Sequence, residues 1–599
     1  MKRIRTLFLL VALLWCGIAQ ATITATIDGL KYSLDETAYE ATLVSNSYSG
    51  DIVIPSSVTY SGTVYKVTSI GDRCFSNRGS LTSVEIPSSV TTLGYLCFSY
   101  CTRLSSVVIP SSVITLGDYC FSYCSSLTSV ELGSSVISLG NYCFYDCTSL
   151  TSVEIPSLVT SLGDYCFYGC TGLTSVGGGA SVTSLGDYCF YGCALTSIKI
   201  PIPVMSLGDY CFGECGKLTS VEISSSVQSL GWTCFYGCDK LTNVNVDEAN
   251  PSYASADGVL FDKNLTELIV YPRAKAGAYA IPSSVSCLEE YSFSNCSSLT
   301  SIEIPSSVTT LGSHCFWGCS KLTSVKIPSS VILLPNLCFN NCSSLTSVEI
   351  SSSVSSIGDY CFTGSSSLTN VTFEGTPSIG SGVFSSCSKL TNVNIPIGSY
   401  NNFIGKGIDN YLKETVLTLD GQGFSTICSI SDLNFEGTSV TAYAASVNDE
   451  KTSVTLNEVK QAAAGEGLVV NAPAGTYVIP TTSGLALMED NALTGVKSTD
   501  TQPEISATDN CYALRSYDDG TVAFAKIVSD LTFPYGKAYL KLSDTLGTQQ
   551  LSVNFGSATG ITEISMDETE GAYYTISGTR VGKPTKGLYI RNGKKVYVK

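Results

Sequence analysis

The chain has 599 residues, 44% of them hydrophobic and only 14% charged, with a formal net charge of −17 at pH 7. That charged fraction is low against the ~25% of an ordinary globular domain, so Ser, Thr, Asn and Gly must supply the polar surface. The negative balance argues against nucleic acid as a partner, because phosphate binding is driven by clustered Lys and Arg.

The first predicted element is a secretion signal over residues 1–21. Lys2, Arg3 and Arg5 form a positive start, Leu7 to Leu14 an apolar run, and Ala19-Gln20-Ala21 a small-x-small cleavage site. The run is too short to span a bilayer, and no later stretch is apolar for long enough, so no transmembrane span is expected. A lipid anchor on Cys16 is the weaker reading, because Trp15 stands where a small residue is expected.

Next comes a repeat. A Cys-Phe pair begins at Cys74, Cys97, Cys120, Cys143, Cys166, Cys189, Cys211 and Cys234, and resumes as Ser292-Phe293, Cys315, Cys338, Cys361 and Val383-Phe384. The steps are 23 residues, twice 22, and once 58, which is one period plus an insertion of 35 at about residues 247–281. Within a unit, Leu81, Val84 and Ile86 have the inward spacing of a short strand that Pro87 ends. Val90 and Leu93 fill a second side, Gly94 turns the chain, and Cys97, Phe98 and Cys101 fill a third. In many units the turn is Gly-Asp, as at Gly117-Asp118 and Gly163-Asp164, and Asp there reads as the N-cap of a short helical turn. So few apolar anchors cannot order an isolated unit, so the strands must pair from coil to coil as a solenoid.

Units such as Leu81-Thr-Ser-Val-Glu-Ile-Pro-Ser-Ser-Val90, with Leu116-Gly-Asp-Tyr-Cys-Phe121, closely resemble BspA-like leucine-rich repeats over roughly residues 45–400. Asn250-Pro-Ser-Tyr253 through Tyr271-Pro272 resembles that family's long insert, and Gly50–Val58 with Val67–Gly71 its N-terminal cap. The resemblance implies a secreted or surface-exposed bacterial protein that acts in adhesion to host proteins or to other cells.

Most of the 26 cysteines fall in two columns. One runs from Cys97 to Cys234, the other from Cys101 through Cys124 and Cys147 to Cys387. Buried free thiols acting as small apolar groups are the leading reading. Disulfides between coils and a metal site are alternatives, the second disfavoured by the spacing.

Two surfaces are candidate binding faces. The outward residues of the strands include Ser83, Glu85, Ser129, Glu131, Glu154, Lys199, Glu222, Glu303, Lys326 and Glu349. They form an acidic, hydroxyl-rich concave face suited to a basic protein patch, or else simply a solvated surface. The other is an aromatic stripe: Tyr100, Tyr123, Tyr145, Tyr168, Tyr191, Tyr236 and Trp317 follow the recurring Phe. Tyr119, Tyr142, Tyr165, Tyr188, Tyr210, Tyr291 and Tyr360 precede it. These rings either pack between coils or form a ladder for protein or sugar contact.

No enzyme is expected. The single histidine, His314, occupies the Tyr position of its unit, and no nucleophile elbow, phosphate loop or zinc-protease motif is present. No cofactor and no metal are expected.

Periodicity stops near residue 400. Phe403, Ile404, Ile408 and Tyr411 are expected to cap the last coil, and alternating strands from Val416 predict a sandwich-like β domain. Residues 571–599 carry Arg580, Lys583, Lys586, Arg591, Lys594, Lys595 and Lys599 with no acid. Tyr574–Gly578, Lys586–Ile590 and Lys594–Lys599 resemble the C-terminal sorting tails of type IX secretion, and the alternative is a β-hairpin closing the preceding domain.

The predicted architecture is an α/β leucine-rich-repeat solenoid of short strands and helical turns, then an all-β sandwich-like domain and a small β tail. Its domains are a signal (1–21), a cap (22–70), the repeats (71–400), a cap with the β domain (401–555) and a tail (556–599). The expected function is an adhesin-like protein at the bacterial surface or secreted, binding a host or bacterial surface protein or glycan. A glycan-capturing component and a structural surface or matrix component are the other readings.

Overall fold

The computed structural model describes residues 22–420, 423–517, 521–543 and 550–555, together with Lys586 and short strands between 562 and 598. The secretion signal lies outside the described residues. Two compact units divide the chain: Met1–Thr323 with Pro335–Ser343, and Ser324–Leu334 with Ser344–Lys599.

The first unit opens with an antiparallel meander, Thr22–Ile27, Leu30–Asp35 and Glu40–Leu43, whose last strand pairs parallel with Thr63–Ile70. From there each coil adds a two-residue strand to one growing parallel sheet, through Thr92–Leu93, Thr115–Leu116, Ser138–Leu139 and so on to Ser229–Leu230. Longer strands on a second side pair in the same register. Ser129, Val130 and Glu131 lie beside Ser106, Val107 and Val108, so each repeat position faces itself in the next coil. Columns of like residues follow. Val and Leu pack inside, and the Phe rings from Phe75 to Phe235 form one continuous stack, for example Phe98 on Phe121 at 5.0 Å.

The helical turn expected after each Gly-Asp does not form. Among the described residues, helix is confined to Tyr400–Phe403 and a 3₁₀ turn at Asp409–Tyr411. Over 117–124 the backbone instead turns left-handed at two points four residues apart, with φ of 58° at Tyr119 and 59° at Tyr123. Cys120, Ser122 and Cys124 donate their N–H groups to carbonyls three residues back. Tyr119, Phe121 and Tyr123 donate theirs to Asn141, Cys143 and Tyr145 of the next coil at 2.9, 2.8 and 2.6 Å. A helix would use all of these donors within its own turn; here alternate ones tie coil to coil. Asp118 is accordingly not a helix cap. Its Oδ1 accepts the N–H of Asn141 at 2.8 Å, and Asn141 Oδ1 accepts that of Asp164 at 2.8 Å. Glycine precedes Asp because the coils close up there: a Cβ on Gly117 would lie 2.7 Å from the carbonyl carbon of Gly94.

Every described cysteine is a free thiol, and all but Cys287 are buried. The second column does more than fill space. Cys124, Cys147 and Cys170 each donate Sγ–H to the carbonyl of Phe98, Phe121 and Phe144 in the preceding coil, all at 3.1 Å. Burial pushes these thiols up; that of Cys215 reaches about 12 from an ordinary value of 9. They stay protonated and unreactive at neutral pH.

The insertion builds a coil of its own. Tyr253–Ala256, Val259–Asp262 and Glu267–Val270 form an antiparallel meander whose last strand starts a new parallel sheet with Cys287–Leu288. Gly277–Ala280 pairs with Leu299–Glu303 on the other side.

In the second unit, Ser324–Lys326, Ser347–Ile350, Asn370–Phe373, Asn392–Pro396 and Leu412–Leu419 pair in that order. Of the expected cap residues, Phe403 is buried against Phe373 at 4.9 Å and Ile408 is buried, while Ile404 is exposed. The strand Leu412–Leu419 completes the cover. Glu414 on it is fully buried and accepts the Tyr400 N–H at 2.9 Å and the Ser498 hydroxyl at 2.5 Å.

The β domain is one nine-stranded mixed sheet running from Phe424–Ile427 to Leu493–Val496. It curls until its first strand meets Lys537–Lys541, where Lys537 Nζ donates to Ser425 Oγ at 2.7 Å. Beyond it, Gly587–Arg591 and Lys594–Val598 form an antiparallel hairpin. The side chains that carry the sorting-tail resemblance, Lys586 apart, lie outside the described residues.

Candidate functional site

The aromatic columns gather on the turn side of the first unit. Tyr119, Tyr142, Tyr165, Tyr188 and Tyr210 stack at 4.4, 4.6, 4.7 and 4.9 Å with planes within 13° of parallel. Each has left-handed φ, from 50° to 58°. A non-glycine residue in that region is strained and persists only where its surroundings over-determine it. Here the inter-coil N–H bond and the ring stack do so.

A second column runs beside the first. Tyr145, Tyr168 and Tyr191 stack at 4.8 and 4.9 Å, and Tyr100 lies on Tyr123 at 4.3 Å. Between Tyr123 and Tyr145 the planes tilt by 58°, because Tyr follows the Phe by two places in the earlier units and by one in the later. Rings of the two columns meet at 5.5–5.6 Å, as Tyr142 does Tyr145 and Tyr188 does Tyr191. Most of these tyrosines are half-buried and Tyr100 is exposed. Burial chiefly, and then neighbouring tyrosines, push the phenols of Tyr119 and Tyr165 up. Burial and the Glu214 carboxylate take Tyr191 to about 12.

The row does not take in every aromatic residue that the sequence offers. Trp317 stands beyond the insertion and donates its indole N–H to Asn340 at 3.0 Å. His314 stacks on Tyr291 at 4.5 Å, and burial lowers its imidazole. Gly213 replaces the second-column Tyr, since a Cβ there would lie 2.6 Å from the Tyr191 ring.

The strand face is exposed at Glu85, Glu131, Glu154, Lys199, Glu222, Glu303, Lys326 and Glu349. It is not one acidic stripe. Lys199 pairs with Glu222 and Lys326 with Glu349, both at 3.5 Å. The Glu154 carboxylate lies over Gly177, and the Ser83 hydroxyl donates to Asp51 at 2.6 Å. Ser129 is exposed on the same side.

Sequence reasoning missed a third feature, a cleft of about 720 Å³ where the insertion interrupts the coils. Trp232, Tyr236 and Tyr291 line it together with Arg273, Glu290 and Ser294. The signal was present: Trp232 stands where other units carry the Asp of Gly-Asp, and Tyr291 holds the Tyr position of the first unit after the 58-residue step. Among the described residues no cluster of metal-ligating side chains occurs, and no helix is long and apolar enough to cross a membrane.

A search of curated proteins finds no match. Among solved structures, the chain is similar to a leucine-rich cell surface protein of Faecalibacterium prausnitzii, with 30% identity and a TM-score of 0.51 over 64% of this chain and 98% of that one. It also aligns with the pneumococcal vaccine antigen PcpA (22% identity, TM-score 0.43, 63% of this chain and 88% of that one). A leucine-rich repeat protein of Bacteroides ovatus aligns at 22% identity and a TM-score of 0.38, over 65% of this chain and 99% of that one. The model of the BspA type leucine rich repeat region matches residues 56–174, 137–256 and 286–407, more than half of the chain. With its register of Cys-Phe coils and parallel two-sided ladder, the chain belongs to the BspA-type leucine-rich repeat family.

Proposed function

We propose that this is a non-enzymatic, adhesin-like protein, displayed on the bacterial surface or secreted, that holds a partner protein against its turn side. The paired tyrosine columns carry the proposal. Their rings are locked by their neighbours while the row stays half-exposed, so contact orders few side chains and loses little entropy. Tyrosine is also the residue type enriched at the centre of protein interfaces. The strand face offers long, mobile, partly self-neutralised charges and serves as a rim. The N-terminal signal and the basic tail fit export, the tail by type IX secretion.

The test is binding of the protein to immobilised matrix proteins, mucins and intact bacterial cells. Tyr142→Phe with Tyr165→Phe and Tyr188→Phe keeps the stack and removes the hydroxyl tips; it should weaken binding at least ~10-fold, or about 1.4 kcal/mol. Reversal of Glu131, Glu154 and Glu222 to Lys should alter mainly the association rate and its salt dependence. If charge reversal abolishes binding and the tyrosine variant does not, the strand face is the site. Silence across the whole panel would sink the adhesin reading.

A further inference from the structure

A stacked column hides the faces of its rings and shows only their edges, so a ligand that needs an open aromatic face must find a break. The insertion makes one. Tyr271 takes the Phe place of the inserted coil, donating its N–H to Ser292 O at 2.8 Å and stacking on Phe293 at 4.8 Å. The chain then leaves at once, with Ala274 N–H donating back to Leu241 O at 2.8 Å. The wide turn that every other coil builds is therefore missing, and the cleft occupies its place. Rings bordering it meet edge-on instead of in parallel: Trp232 with Tyr291 at 79° and Tyr236 with Tyr291 at 89°. Trp232 is 46% exposed, and its indole N–H donates to Glu290 Oε2 at 3.2 Å, which holds the ring in place.

The lining also carries polar atoms with nothing to bond. Ser294 is only 2% exposed and its Oγ is buried without a hydrogen-bond partner, as is Thr233 Oγ1 of another lining residue. Glu289 and Glu290 contribute acceptors, and Arg273 a built-in cation. Its guanidinium lies 4.7 Å from the Tyr236 ring centre and pairs with Asp239 at 2.9 Å.

We propose that this cleft is a saccharide-binding site, taking the end of a neutral glycan with one sugar ring on Trp232 and its hydroxyls on Glu289, Glu290 and Arg273. An exposed indole and acceptors beside a donor match a polyol. A cationic side chain fits less well, since Arg273 already covers Tyr236 and would repel a second positive charge. The volume lies within the roughly 300–1,000 Å³ of ligand clefts. The site does not rest on the tyrosine row as a protein contact, and either stands if the other fails.

The experiment uses protein beginning at Thr22, which removes Trp15 and leaves Trp232 and Trp317 as the only tryptophans. Trp317→Phe then makes Trp232 the sole fluorophore. Neutral mono- to tetrasaccharides built from glucose, galactose, mannose, fucose and N-acetylhexosamines are screened on an array, and hits are titrated by fluorescence. A saccharide should bind and shift the Trp232 emission. Trp232→Ala, in the otherwise unaltered protein, should weaken array binding at least ~10-fold, Trp232→Phe should recover most of it, and Glu289→Ala should cost roughly 2–10-fold. Leu158→Ser, exposed on a distant coil, is the control that leaves binding unchanged. Saccharide binding that survives Trp232→Ala, or no binding of any array saccharide by the folded protein that retains Trp232, overturns the proposal. Binding of poly-lysine in place of saccharides, lost in Trp232→Ala, overturns it in favour of a cation site.

Discussion

The strand side and the turn side of the coils share one period but obey different rules. On the strand side the backbone does the work: paired strands hold the register, and the outward place accepts Glu131, Gly177, Lys199 or Val108 alike. On the turn side the side chains do. Phe144 lies between Phe121 and Phe167 at 5.5 and 5.3 Å, and the tyrosines above repeat the stack at the surface. One side is a ladder that tolerates any decoration; the other is a column in which each ring is a neighbour's support.

Alkali should separate the two most strongly. The thiols and phenols crowd the turn side, and burial raises them, Cys215 and Tyr191 each to about 12. In the unfolded chain they ionise near their ordinary values of about 9 and 10. Folding therefore holds extra protons, and its stabilisation is complete below about pH 9 and drains away as the pH rises toward 12. Thermal melts followed by circular dichroism should fall steeply across that window; a flat profile from pH 8 to 11 would erase the contrast.

Next in size is a pair of truncations. Phe144→Ala, at a fully buried ring, should cost about 3–5 kcal/mol in denaturant unfolding, whereas Glu154→Lys on the strand side should stay within ~0.5 kcal/mol. Comparable losses would mean that the strand face is structural after all.

The smallest effect sharpens the role of the thiols. Cys147→Ala removes the donor to Phe121 O and should cost about 1 kcal/mol more than Cys147→Ser, which keeps a donor there. Equal losses would return the column to plain filler.

Much of this was readable in advance. The Cys-Phe period pointed to a stack of coils with these residues turned inward, because a column of identical inward residues has no other economical explanation, but it did not show the inserted coil, where Tyr271 takes the Phe place. The helical turn was misread, since Gly117-Asp118 looks like a cap only while the unit is considered alone; its true partner is the N–H of Asn141, one period away. The tyrosine columns were visible as spacing, but their ring-to-ring geometry depends on left-handed backbone at Tyr119 and its equivalents. The cleft was hidden because it arises from a turn that is absent, and Trp232 and Tyr291 are neighbours only across 58 intervening residues.

The bonding of each turn to the next has a further consequence. Because each regular coil offers its successor the same donors and acceptors it received, Asp118 to Asn141 to Asp164, the joints between such coils are interchangeable. Whole periods can be duplicated or deleted by unequal exchange in the gene without a mismatched seam. The number of coils, and with it the reach of the molecule, is then a quantity that selection can adjust one 23-residue step at a time.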